Sequence, residues 1–121
     1  MTFRQTVGRR GEKLAEDHLI AQGARVLERN YHIRHAEVDL ILEHEGDLVA
    51  VEVKTRDVHD LEQPEEAVKH AQLLRIVRGL TTYAQDNDLL EMPCRIDVVA
   101  IVLEPDGEVL RLDHFRGVYP W

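Results

Sequence analysis

L-V-A-V-E-V-K, Leu48 to Lys54, is the stretch whose reading decides the fold. With the two-residue period of a strand, Val49, Val51 and Val53 share one face, and Ala50, Glu52 and Lys54 share the other. A carboxylate and an ammonium therefore stand at the end of a strand that is otherwise apolar. The preceding stretch, E-V-D-L-I-L (Glu37 to Leu42), repeats the pattern, with Val38, Leu40 and Leu42 on one face and Glu37, Asp39 and Ile41 on the other. E-G-D (Glu45 to Asp47) is the turn between them. With Glu45-Gly46 as a two-residue turn, His44 faces Asp47, and counting outward sets Asp39 opposite Glu52 and Glu37 opposite Lys54. An odd-length loop or a bulge would shift that register. Directly opposed Cβ atoms lie about 4.5–5.5 Å apart. Two carboxylates at that spacing repel each other unless a cation sits between them.

Outward from this hairpin, periodicity places the remaining elements. Val7 to Gln22 reads as a helix, with Leu14, Ala15 and Leu19 apolar and Gly23 suited to the position just past its end. Arg25 to His32 reads as a first strand. Thr55 to Gln63 reads as a polar loop. Pro64, followed by Glu65 and Glu66, starts a second helix expected to run to about Asp86, with Leu73, Ile76, Val77, Leu80 and Ala84 as its core stripe. Cys94 to Leu103 and Glu108 to Phe115 read as two further strands around P-D-G (Pro105 to Gly107). The order α-β-β-β-α-β-β describes a single α/β domain over residues 1–121, a central mixed sheet flanked by helices.

The chain of 121 residues is long enough to bury a core without metals or disulfides, and its one cysteine, Cys94, cannot form an internal disulfide. Cys94 is expected as a small core residue. The N-terminus lacks the apolar core of a signal peptide and no run could span a bilayer, so a cytoplasmic protein without membrane attachment is expected. A net charge of -8 argues against nucleic-acid binding through a globally basic surface. The charge is unevenly spread: residues 1–36 hold seven Lys/Arg against four Asp/Glu, and residues 85–121 hold three against eight. One face is left that could meet phosphate. Arg4, Arg9 and Arg10 are the better candidates for such contacts, ahead of Arg75 and Arg78 on the polar side of the second helix.

The acidic pair suggests a chemistry. Magnesium takes oxygen ligands, typically one or two carboxylates, with waters and substrate phosphate oxygens completing an octahedron. Asp39, Glu52 and the backbone carbonyl of Val53 could supply the protein's share, and Lys54 could orient a water or stabilise developing negative charge. That would be phosphodiester hydrolysis with Mg2+ or Mn2+. Glu12 supplies a third carboxylate: on a helix its neighbours at three, four and seven are Ala15, Glu16 and Leu19, so it leans towards the apolar stripe. Gly8 and Gly11 on the same side would let this helix approach another backbone closely.

The acid followed by a spaced acid-x-Lys, Asp39 and Glu52-Val53-Lys54, resembles the PD-(D/E)xK phosphodiesterases, the restriction-endonuclease-like superfamily. More closely, G-E-K-L-A (Gly11 to Ala15), V-L-E-R-N-Y (Val26 to Tyr31), A-E-V-D-L-I (Ala36 to Ile41), V-E-V-K-T-R (Val51 to Arg56), P-E-E-A-V (Pro64 to Val68) and R-I-D-V-V (Arg95 to Val99) resemble the YraN-like family, uncharacterised protein family 0102. That resemblance implies a restriction-endonuclease-like fold related to archaeal Holliday-junction resolvases. Its implied catalytic set is Glu12, Asp39, Glu52 and Lys54, and its implied substrate is nucleic acid, DNA above all, at branched or structured sites. By the same analogy, a homodimer is consistent with cutting two strands symmetrically. Glu37 and Arg56 match family positions without an assigned role. Ala36 stands where the family usually has glycine, and Val58 to Gln63 lacks the usual glycine before the P-E-E-A-V helix.

Simpler readings compete. Glu52 and Lys54 could form a surface ion pair on an exposed edge, worth about 0–1 kcal/mol. The fold could serve as a non-catalytic module that binds nucleic acid or protein. Asp97 in R-I-D-V-V interrupts an apolar strand and could be functional, but reads first as a structural hydrogen-bond acceptor, and the His32-x-x-His35 spacing reads as solvated side chains ahead of a metal site. The C-terminal H-F-R-G-V-Y-P-W (His114 to Trp121) carries no assigned role.

Overall fold

The computed structural model describes residues 2–60 and 62–118, with the backbone alone at Phe3 and Arg4. The Arg4 side chain and the last three residues of the C-terminal stretch thus lie outside the described residues. In chain order come helix α1 (Phe3–Ala21), strands β1 (Arg25–Ile33), β2 (Ala36–His44) and β3 (Asp47–Asp57), a short 3-10 turn (Pro64–Ala67), helix α2 (His70–Asp86), and strands β4 (Cys94–Leu103) and β5 (Val109–Phe115). The strands form one open sheet in the order β1-β2-β3-β4-β5. β3 and β4 pair in parallel, with α2 as the crossover, and the other neighbours are antiparallel. No described helix is long and apolar enough to cross a membrane.

Each helix covers one face of the sheet. Ala15 and Leu19 of α1 pack on Leu40, Leu42, Val49, Val51, Val53 and Val99. On the opposite face Leu73, Ile76, Leu80, Tyr83 and Ala84 of α2 meet Val38, Ile41, Leu48, Ala50 and Ile96. Val77, expected in this stripe, is 39% exposed. Positions 73, 76, 80 and 83 already follow the helical spacing, and Val77 falls beside them; Tyr83 takes the inward place and meets the Tyr31 ring edge-on at 5.3 Å.

Local chemistry moves several boundaries from their expected places. α1 starts at Phe3 rather than Val7 because Thr2 and Gln5 form a capping box: Thr2 Oγ1 accepts from the Gln5 N–H at 3.2 Å, and Gln5 Oε1 accepts from the Thr2 N–H at 3.0 Å. β3 runs on to Asp57 because Thr55, Arg56 and Asp57 pair with Ile101, Val102 and Leu103 of β4. The expected helix from Pro64 is two elements. Pro64–Ala67 packs on β3 and β4, with Glu65 bound to Arg111 at 2.7 Å, whereas α2 packs on β2. The extended backbone of Val68 and Lys69 turns the chain between them.

The β2–β3 register is the expected one, with His44 opposite Asp47, Leu42 opposite Val49 and Leu40 opposite Val51. Alternation along β2 does not hold throughout, because Val38 faces α2 while Leu40 and Leu42 face α1. β1 shows the same change of face. Arg29 reaches Glu16 on α1, Tyr31 packs with the α2 cluster, and Asn30 between them has φ 50°. One left-handed residue rotates this end of the β1–β2 ribbon, and Asp39, facing the rotated segment, comes to lie under α1 with Leu40.

Gly11 is where α1 approaches β3 closely: a Cβ there would lie 2.9 Å from Thr55 Cβ, whereas Gly8, grouped with it by spacing, faces open space. Gly11→Ala is expected to cost about 1–3 kcal/mol through overpacking, measured as a lower urea midpoint. An unchanged midpoint would show that α1 shifts without cost.

At the end of the sheet where β4 begins, Asp97, 1% exposed, gathers a polar network. Its carboxylate accepts from Arg95 Nε at 2.9 Å, His114 Nε2 at 2.8 Å and the Gly117 N–H at 3.0 Å. Buried His44 joins the same group: its Nε2 lies 3.0 Å from the Gln22 carbonyl and so donates, while Nδ1 accepts from Arg116 at 3.0 Å. Asp97 is thus the structural acceptor its place in the sequence suggested. Cys94, expected in the core, is exposed, because it begins β4 at the rim rather than inside the sheet.

Candidate active site: a carboxylate cleft at the parting of β2 and β3

The paired register of β2 and β3 stops at Leu40 and Val51, one step before Asp39 would face Glu52. There Asp39 Oδ2 accepts the Val53 backbone N–H at 2.8 Å. The side chain of one strand thus occupies a main-chain donor of the other. Between this point and α1 lies a cleft of about 430 Å3, whose walls include Glu12, Asp39, Glu52, Val53, Lys54 and Arg56. All the candidate residues therefore border one space. Glu37, expected opposite Lys54, instead approaches His32, its carboxylate 3.5 Å from His32 Nε2.

Glu52 is 5% exposed. Its Oε1 accepts from Gln72 Nε2 at 2.8 Å and lies 3.3 Å from Lys54 Nζ. The Lys54 side chain is only 21% exposed, which removes the reading of a surface ion pair on an open edge. Gln72 was not a sequence candidate. Finding it required knowing that α2 begins at His70 and lays its first turn over β3.

Electrostatics at the cleft is strained by like charge. Burial, reinforced by Glu52 and more weakly by Glu12 and Glu37, pushes the Asp39 carboxyl up to about 8 against the pull of the Val53 N–H. Burial also raises Glu52, opposed by Lys54. Glu12 is raised by burial and by Glu37. Because the folded Asp39 binds its proton more tightly than the unfolded one, its contribution is least unfavourable below about pH 4 and worsens as pH rises towards 8. Asp39→Asn in chelator is therefore expected to exceed the native protein in stability at pH 8 by on the order of 1–3 kcal/mol, with the gap narrowing as pH falls and closing at about pH 4. Urea melts at both pH values decide it, and parallel pH dependence of the two proteins would refute the assignment.

Among the described residues no group of three His, Cys, Asp or Glu side chains is gathered as a metal centre. The donors nonetheless suit a hard cation of the magnesium type, which needs only one or two carboxylates and takes water for its other ligands. Asp39 and Glu52 are a carboxylate pair of that kind, both raised chiefly by burial.

A five-stranded mixed sheet with a helix on each face, in the order α-β-β-β-α-β-β, makes this a mixed α/β protein consistent with a nuclease-like fold. The profile of uncharacterised protein family UPF0102 matches residues 11–101, and the chain belongs to that family. It is 40% identical over 119 residues to a UPF0102 protein of Arthrobacter sp. (strain FB24), covering 98% of this chain and 99% of that protein. It is 42% identical to one from Clavibacter michiganensis subsp. michiganensis, over 92% of this chain and 98% of that protein. A relative from Oleidesulfovibrio alaskensis is 39% identical over 91% of this chain, which spans 56% of that longer protein.

Proposed function

We propose that this chain is a Mg2+- or Mn2+-dependent nuclease that hydrolyses phosphodiester bonds of DNA, with branched or structured DNA as its preferred target. The observation that carries the reading is the meeting of Asp39, Glu52 and Lys54 in one cleft, the acid and acid-x-Lys pattern of the PD-(D/E)xK phosphodiesterases. Asp39, Glu52 and the Val53 carbonyl would hold the cation, which when bound supplies Lewis-acid polarisation of the scissile phosphate. Lys54 Nζ holds a water or stabilises negative charge developing on phosphate oxygen. Gln72 keeps Glu52 turned towards the cleft, and Asp39 is held by the Val53 amide. Glu12 extends the acidic wall. The proposal includes a homodimer, as two symmetric cuts in a junction require two clefts.

The alternative, a non-catalytic binding module, draws on the Lys54–Glu52 ion pair, in which Lys54 would serve only to neutralise a buried carboxylate. The test is cleavage of labelled single-stranded, duplex, flap and four-way DNA and of RNA with Mg2+ or Mn2+, comparing the native protein with Lys54→Ala. Metal-dependent cutting that is lost in the variant supports the nuclease and names its substrate. An intact panel, or equal cutting by both proteins, leaves the binding module as the better reading.

A further inference from the structure

The chain holds 15 Lys and Arg against 23 Asp and Glu, so an exposed cation has many carboxylates available to it. Arg25, Arg29, Arg95, Arg111 and Arg116 each have one. Arg34, Lys69, Arg75 and Arg78 are all exposed, and among the described residues no carboxylate lies within ion-pair distance of any of them. Arg34, Arg75 and Arg78 meet on a shelf where α2 passes the β1–β2 turn, and Lys69 stands at the start of α2, its Nζ donating to the Glu66 carbonyl at 2.7 Å. Arg78 Nη2 donates to the His35 carbonyl at 2.9 Å and to the Arg34 carbonyl at 3.3 Å, fixing α2 against the β1–β2 turn. His32, His35, Gln72 and Arg75 line one shallow cleft there with Glu37.

Residues 29–36 (R-N-Y-H-I-R-H-A) and 69–85 (K-H-A-Q-L-L-R-I-V-R-G-L-T-T-Y-A-Q) contain no acidic residue, and the one carboxylate lining the cleft between them, that of Glu37, faces His32. Arg75 and Arg78 are moreover three apart on one helix, an arrangement of like charges that weakens the helix. An acidic protein that leaves exposed cations close together without ion-pair partners has a surface complementary to a partner carrying repeated negative charge. The shelf adjoins the carboxylate cleft through Gln72, which lines the shelf and donates to Glu52. A strand whose phosphate lay in the cleft would have its flanking phosphates within the field of these cations. Arg10, favoured by the sequence, lies away from this shelf, its Nε donating to the Gly107 carbonyl of the β4–β5 turn at 2.8 Å.

We propose that the shelf of Arg34, Lys69, Arg75 and Arg78, formed by the β1–β2 turn and α2, grips the sugar-phosphate backbone of a nucleic acid on one side of the cleft. The inference rests on the nuclease reading for the identity of the partner, but its test does not depend on cleavage. Fluorescence anisotropy of labelled duplex and four-way DNA, in chelator over a salt series, is compared among the native protein, Arg34→Ala/Arg75→Ala, and Arg25→Ala/Arg111→Ala, which changes the net charge equally elsewhere. The shelf variant is expected to bind at least about tenfold more weakly, with a log–log salt slope shallower by roughly 2, and the control to keep both. Equal losses in both variants, or none in either, would overturn the proposal. So would a native protein that binds phosphatidylserine vesicles and no nucleic acid. An unaffected shelf variant alongside a Lys54→Ala protein that no longer cuts refutes the shelf and leaves the nuclease standing. A shelf-dependent affinity in a protein that cuts nothing supports the shelf and removes the catalysis.

Discussion

Lys54→Ala is expected to slow metal-dependent cleavage by about 10²–10³-fold, the loss that follows removal of one donor aimed at developing charge. Two effects combine in this number. Lys54 Nζ, largely withdrawn from solvent, is lost as a donor to water or phosphate. Glu52, buried and already raised by desolvation, also loses the ammonium 3.3 Å away that opposes the rise. A carboxyl protonated more readily binds cation more weakly, so the variant should also need more Mg2+. Single-turnover rates across a Mg2+ titration separate the two. Recovery of the native rate at saturating Mg2+ would restrict Lys54 to controlling Glu52, and a native rate at every concentration would remove it from the site. Lys54→Arg keeps the charge and should restore cation affinity before it restores rate.

Asp97→Ala carries the largest expected cost in stability, about 3–5 kcal/mol, because it removes the one buried anion on which Arg95, His114 and the Gly117 amide converge. That is a large share of the roughly 5–15 kcal/mol by which a domain of ordinary size stays folded. Arg95 would keep Asp47 at 2.9 Å, while His114 and the Gly117 amide would each lose their acceptor. Burial pushes Asp97 up, but the hydrogen bonds from His114, Arg95 and Gly117 outweigh it and hold its carboxyl below the usual range. Its contribution is therefore complete above the ordinary carboxylate pKa and disappears as pH falls through the lowered one. Native protein should lose stability in acid more steeply than the variant does. Urea unfolding across the acid range tests both statements; a loss no greater than that of an exposed pair, about 0–1 kcal/mol, would contradict the network's role.

Asp97 and Asp39 thus sit in one sheet with opposite consequences. Three donors stabilise the first as an anion, whereas the second faces carboxylates and receives one amide. Sequence could separate them only in part. The hairpin register was legible because Glu45 and Gly46 are the two positive-φ positions that a tight turn demands, at 53° and 85°, and the alternating valines of β3 settle its faces. From these, counting brings Asp39, Glu52 and Lys54 to the same end of the hairpin, but the direct pairing of Asp39 with Glu52 that it implies does not form, because the register stops at Leu40 and Val51. The rotation at Asn30 was not legible, since an asparagine within a strand pattern does not announce a left-handed backbone. The start of α1 is set by the Thr2–Gln5 capping box, a turn ahead of where apolar periodicity begins, so periodicity alone places the helix start too late. His114, Arg116 and Gly117 acquire meaning only when β5 brings them back beside Asp97 and His44, a contact between residues distant in the chain. Gln72 depends likewise on where α2 crosses the sheet.

The bond from the Val53 amide to Asp39 bears on entropy. A flexible carboxylate must lose rotamer freedom before it can serve a ligand, and that loss normally weakens binding. Here the restriction is imposed during folding, by a main-chain group on the strand that also carries Glu52 and Lys54. The Asp39 side chain is thereby tied to the strand that carries the other two cleft residues, with less further ordering left for whatever binds there.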